Sequence, residues 1–206
     1  MKGNTKKLGL FVMVVAIATF TAVAMASAGD HDWHKTIEGK YAFGGVDSCF
    51  FAPGGFTNQF VPSLGLWKAT TGTWEGFYVF HHDGTGEYKA KGGSFSIPGP
   101  GFTAGLTSAN LNFKFRYTLD KGEITFTYAP GSWVETLVYD PDLPGQTVYT
   151  KITEPWYGRI SPDGQNLIVT YGIPNKFIPT LDKENQTPLP LEIVCNSVDH
   201  GFRVEE

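Results

Sequence analysis

The sequence predicts an all-β domain: a single antiparallel up-and-down barrel of about 8–10 strands, with a β-sandwich as the alternative. Three observations carry this. Beyond residue 28 no stretch sustains a helical period over three turns, whereas alternation of apolar and polar residues recurs. Turn-forming clusters separate the alternating runs, so most strands join to their sequence neighbours. The chain is rich in rings, with 16 Phe, 9 Tyr and 5 Trp, residue types that favour strands.

Residues 1–28 read as an export signal. Met1 to Lys7 carries three lysines, Leu8 to Ala28 carries no charge, and Ala24-Met25-Ala26-Ser27-Ala28 offers small-x-small cleavage sites. A retained membrane anchor is the rival reading, because the uncharged run is nearly long enough to span a bilayer. The small residues at the exit favour cleavage. The expectation is a secreted or periplasmic chain with no membrane span after cleavage, residues 29–206 forming one barrel domain.

The strands follow in order. Gly39 to Phe43 and Ser48 to Phe51 are short candidates. Trp74 to His81 runs into the turn at His82-Asp83-Gly84, and Glu87 to Ile97 returns. Leu111 to Asp120 is the clearest case, with every odd position apolar up to Leu119 and every even position polar, so that one face is buried. Asp120-Lys121-Gly122-Glu123 supplies a hairpin turn before Ile124 to Tyr128. Trp133 to Tyr139, Val148 to Ile152, Trp156 to Ile160 and Asn166 to Tyr171 come next, the last two joined through Pro162-Asp163-Gly164. Leu191 to Asn196 and Phe202 to Val204 close the series. Three segments interrupt it: Ala52 to Gly72, Pro98 to Ala109 and Gly172 to Pro190 read as long loops.

Cys49 and Cys195 make an even count in an exported chain and are expected to form a disulfide. Their separation excludes a C-x-x-C redox pair. Loss of the signal leaves 13 of the 16 basic residues against 20 acidic ones, a formal charge of −7. Such a chain repels phosphate backbones, so no nucleic-acid partner is expected.

The candidate sites are weak one by one. Cleavage after Ala28 would expose Gly29-Asp30-His31, an amine and histidine spacing that can wrap Cu²⁺ or Ni²⁺, with His34 nearby; a frayed terminus is the plain reading. His81-His82-Asp83 reads as a polar run entering a turn, since neighbouring strand residues face opposite ways. Asp140-Pro141-Asp142 has only part of a calcium loop. Asn185-Gln186-Thr187 fits a glycosylation sequon. Glu75, Glu135 and Glu154 lie in or beside strands, where an inward carboxylate could serve as acid or base. No nucleophile elbow or phosphate-cradling loop occurs. No cofactor or metal site is expected.

Ile37-Glu38-Gly39-Lys40-Tyr41, with a cysteine near each end and the late Arg203, resembles the Gly-x-Trp opening of lipocalin-like (calycin) barrels, Tyr41 standing in the tryptophan's place. The stretch Tyr41 to Phe56 also resembles uncharacterised secreted bacterial proteins. The lipocalin-like resemblance implies a barrel whose mouth binds a small hydrophobic molecule. The expected function is therefore non-catalytic binding of a small apolar or aromatic ligand in a ring-lined cavity gated by the 52–72 segment. Trp67, Trp74, Tyr78, Phe113, Phe115, Tyr117 and Phe126 are the candidate ligand-binding residues. Two alternatives stay open. A small-barrel isomerase or cyclase needs an inward acid or base, and a structural or surface-interaction protein needs a filled core and an exposed apolar patch around Phe56, Phe60 and Leu64.

Overall fold

The structure, a computed structural model, describes residues 32–66, 68–98, 104–130, 132–139, 147–152, 155–170, 175–180 and 191–205. Among these residues one helical turn, α1 (Trp33–Ile37), precedes eleven strands. They are β1 (Gly39–Pro53), β2 (Lys68–Phe80), β3 (Thr85–Pro98), β4 (Gly105–Asp120), β5 (Glu123–Tyr128), β6 (Val134–Tyr139), β7 (Thr147–Ile152), β8 (Trp156–Ile160), β9 (Asn166–Thr170), β10 (Asn175–Thr180) and β11 (Leu191–Val204). The all-β expectation is met, with more strands than expected. No helix among the described residues is long and apolar enough to cross a membrane. The export signal lies outside the described residues.

All pairings are antiparallel, and β1, β2, β3 and β4 follow one another in the ladder. At β4 the ladder divides. Its C-terminal part, Phe115 to Asp120, pairs with β5, and its N-terminal part, Ser108 to Asn112, pairs with β6. One arc continues from β5 through β8 and β9 to the Val198–Phe202 part of β11. The other continues from β6 through β7 and β10 to the Ile193–Cys195 part. Since β11 also pairs with β1, both arcs close, and the bonding is ring-like. Each described strand has a neighbour on both sides over at least part of its length.

Local chemistry explains the elements. In β4 the side chains of Leu111, Phe113, Phe115 and Tyr117 are buried and the residues between them are exposed, as the alternation requires. Lys121 (φ 48°) and Gly122 (φ 84°) are both left-handed, giving the hairpin turn whose twist matches the flanking strands. At the β8–β9 turn the Asp163 carboxylate accepts a hydrogen bond from the Gln165 N–H at 3.0 Å.

Five expected boundaries shift. The short candidates 39–43 and 48–51 are one strand, as are 191–196 and 202–204. Glycine and polar residues hide the continuity in sequence, but the unbroken pairing of β1 with β11, from Lys40 opposite Val204 to Pro53 opposite Leu191, supplies it. The supposed loop at 98–109 contains the start of β4, and that at 172–190 contains β10. The 52–72 segment contributes its ends to β1 and β2.

The end of the interior nearest α1 is solid. Tyr41, Phe80, Phe115, Phe126 and Trp156 are at most 1 % exposed, and Trp156 stacks on Phe126 with centroids 4.7 Å apart. Ile37 of α1 is fully buried in the same cluster. Arg203 clamps this end. Its guanidinium lies over the Tyr41 ring, 5.4 Å from the centroid, and donates to the carbonyls of Thr36 and Glu38 and to the Tyr41 hydroxyl. Tyr41 in turn donates to the Gly164 carbonyl at 2.9 Å. Helix, first strand and a distant turn thus meet on one cation. Arg203→Ala is expected to destabilise the fold by about 2–4 kcal/mol in urea unfolding, by stranding these acceptors. Arg203→Lys should recover only part, because one ammonium cannot both fork to two carbonyls and stack on the ring.

Candidate functional site

The half of the interior enclosed by β6, β7 and β10 is not filled. It holds a cavity of about 170 Å³. Parity builds its wall: odd positions of β1, β4 and β11, even positions of β2, β3 and β7, and Glu135 and Leu137 of β6 face inward, the register shift opposite Ser108 and Ala109 turning Tyr139 outward. Rings line one part, among them Trp74, Tyr78, Tyr88, Phe113, Trp133 and Trp156. Phe113 stacks between Tyr88 (4.3 Å) and Trp133 (4.6 Å), which holds these rings as a rigid stack. Aliphatic side chains such as Leu111, Leu137 and Ile193 and polar ones such as Thr70, Ser94, Thr107 and Thr150 line the rest.

Three carboxylates reach the same space: Asp47 on β1, Asp199 on β11 and Glu135 on β6. Asp199 is only 8 % exposed. One of its oxygens accepts a 2.5 Å hydrogen bond from the Tyr78 hydroxyl. The other lies over Gly45, its pairing partner, where any side chain would collide with it. Asp47 accepts from the Trp74 indole N–H at 2.9 Å, and its second oxygen is buried beside Gly72 with no well-formed hydrogen bond. A Cβ on Gly72 would lie 2.8 Å from that oxygen, and one on Gly92 2.6 Å from the Trp74 ring. The glycines therefore make the room into which the acids and the indole are set.

Burial pushes the Asp199 carboxyl up to about 6, partly opposed by the Tyr78 hydrogen bond and reinforced by the charge of Asp47. Burial likewise raises Asp47, against the pull of the Trp74 and Gly72 N–H groups. Lys68 is the one cationic side chain among the described residues of the cavity wall, its ammonium 5.0 Å from the Phe51 ring centroid. The Cys49–Cys195 disulfide is formed and also lines the cavity, joining paired positions of β1 and β11.

The ligand-binding residues expected from sequence divide into three groups. Trp74, Tyr78 and Phe113 line the cavity. Phe115, Tyr117 and Phe126 do not; they belong to the solid end, where Tyr117 donates to the His81 carbonyl at 2.8 Å and burial raises its pKa to about 12. Trp67 lies outside the described residues. Of the candidate carboxylates, Glu135 lines the cavity, Glu75 is on the outer face paired with Lys91 at 3.0 Å, and Glu154 lies outside the described residues. Sequence reasoning missed Asp47 and Asp199 because both fall in the gaps between the short strands expected there. Continuing the odd-residue parity from Tyr41 and Phe43 through to Cys49 would have placed Asp47 inside.

The 54–66 segment contributes nothing to the cavity wall. Phe56 and Phe60 pack on Ala52 and Val194, on the outer side of β1 and β11, and the Phe56 backbone is held by Glu192 and Lys176. Phe56 is buried and Phe60 half-buried, and the exposed apolar side chains of the segment are Val61, Leu64 and Leu66. A second set of exposed apolar side chains lies on the outer face of β3, β4 and β6, at Phe95, Ile97, Leu106 and Tyr139. His81 and His82 are exposed at their turn, and no group of three metal-ligating side chains occurs among the described residues. The possible copper site at residues 29–31, the 140–142 turn and the sequon at 185–187 lie outside the described residues.

Fold and site together define an all-β protein with a ring-closed antiparallel ladder and an internal, acid-bearing cavity. No protein-family model matches the chain, and no curated protein matches it in sequence.

The raised pKa of Asp199 has a measurable sign. Its folded value lies above that of an exposed carboxylate, so the folded state holds the proton more tightly. The stabilisation is fully present below about pH 4 and is lost as pH rises through about 6. Asp199→Asn keeps an acceptor for Tyr78 and removes the charge. It is expected to flatten the fall in stability between about pH 4 and 6 and to raise stability at pH 7.5 by on the order of 2–3 kcal/mol. Urea midpoints across that range check both.

Proposed function

We propose that this chain is an exported, non-catalytic binding protein, a single closed barrel of lipocalin-like plan that holds a small ring-sized molecule in its cavity. The observation that carries the reading is the partly open internal cavity of about 170 Å³ with stacked rings along one part of its wall. Well-packed interiors leave few voids of this size, and an apolar cavity of about 150 Å³ accepts benzene. Closure of both arcs through β11 supports the barrel. The contact of Arg203 with Tyr41 supports the lipocalin-like plan, since the two residues that carried the resemblance pack on each other. The disulfide is compatible with export to an oxidising compartment.

Size narrows the ligand. Pockets for drug-sized molecules run to about 300 Å³ and more. The cavity is smaller, so a single ring or a group of similar bulk fits and a long acyl chain does not. Benzyl alcohol is expected to quench tryptophan fluorescence saturably, with the change reduced in Trp74→Phe, while palmitate produces none. Absence of saturable binding by any one-ring probe sinks the reading.

A proton-transfer enzyme is the second reading, favoured by the buried Asp199 carboxyl at about 6 beside the Tyr78 hydroxyl. It requires turnover of a cavity ligand at a rate that follows a single ionisation near pH 6 and disappears in Asp199→Asn.

A further inference from the structure

We infer that the occupant of the cavity is a small organic cation, an ammonium borne on one ring or on a group of similar bulk; this rests on the cavity being a binding site. Charge complementarity carries it. Asp47, Asp199 and Glu135 line the space, against Lys68 as the one cation among the described lining residues. Two of the acids are poorly compensated. The carboxyl of Asp199 accepts one hydrogen bond among the described residues, from Tyr78, and an oxygen of Asp47 is buried without a well-formed one. A carboxylate taken out of water with incomplete hydrogen bonding destabilises the fold, and Asp47 and Asp199 also repel each other.

An ammonium between them supplies the missing counter-charge and the missing donors, in charge-assisted hydrogen bonds of the stronger kind. The walls add to this. Trp74, Tyr78, Tyr88 and Phe113 line the same cavity, and aromatic faces attract organic cations, most strongly where water is excluded. A hard metal ion is the poorer match. Its ligands are oxygens converging on one point, and no group of three metal-ligating side chains occurs among the described residues. The glycines fit the same picture: Gly45 and Gly72 are the positions where a side chain would strike the Asp199 and Asp47 carboxylates.

The test compares three probes of nearly equal size, benzylammonium, benzyl alcohol and toluene, by calorimetric titration of the disulfide-bonded chain at pH 8. Benzylammonium is expected to bind at least ~10-fold tighter than benzyl alcohol, a ratio within the range of one desolvated cation–π contact plus one ion pair. Asp47→Asn and Asp199→Asn are each expected to reduce that ratio several-fold. The ratio of two affinities is the readout, so a variant whose cavity changes shape still reports. Equal binding of benzylammonium and benzyl alcohol overturns the cation while leaving a cavity that binds neutral rings. A cation preference untouched by both substitutions overturns the role of these acids. If none of the three probes binds, the cavity reading itself fails and the cation falls with it.

Discussion

The pairing of β1 with β11 is the constraint on which the rest of the structure depends. It joins the first strand to the last, along β1 from Lys40 to Pro53, and so makes the ladder's bonding ring-like. Because strand side chains alternate, this one register decides which residues of both strands face inward. It sets Tyr41 opposite Arg203, Gly45 opposite Asp199 and Cys49 opposite Cys195. A slip of one residue would carry the acids, the disulfide and the clamp to the outer surface. The disulfide bridges a sequence separation of 146 and fixes the register covalently.

The division of the ladder at β4 explains why the interior is half solid and half hollow. Around the arc of β5, β8 and β9 the inward positions carry Ile124, Phe126, Trp156, Ile160 and Leu167, which meet the rings of β2 and β4 and fill the space. Around the arc of β6, β7 and β10 the inward positions include Glu135, Val148 and Thr150, shorter or polar side chains that leave a void beside the Phe113 stack. Both arcs have the same number of strands, so side-chain volume rather than strand number makes the difference.

The acids in the void work against stability. A pair of desolvated carboxylates, one of them pushed up to about 6, weakens the fold at neutral pH relative to uncharged residues of the same shape. Glycine at positions 45 and 72 also leaves strand interiors without side chains, a further small loss. Groups that destabilise a fold while converging on one internal space are the pattern expected of a site rather than of a core. The solid end, with its stacked rings and the Arg203 clamp, supplies the packing that offsets them.

By itself the sequence determined the all-β class, most strands, the hairpin turns and the pairing of the two cysteines, because these rest on alternation, turn chemistry and residue count, which are local or countable. It also named Trp74, Tyr78 and Phe113, and Glu135 as one of three carboxylate candidates, because parity within clear strands is readable along the chain. The tertiary structure alone decided that β1 and β11 run unbroken through their glycine and polar stretches, since the hydrogen bonds that hold Gly44 to Asp47 extended come from the strands on either side. That continuity is what turns Asp47 and Asp199 inward. It also decided that Phe115, Tyr117 and Phe126 fill the solid end while Phe113, on the same face of β4 as Phe115 and Tyr117, borders the cavity. Alternation tells which side of a strand a residue faces. How much of the enclosed space is occupied depends on side chains brought together from every strand round the ring, and only the closed ladder sets that.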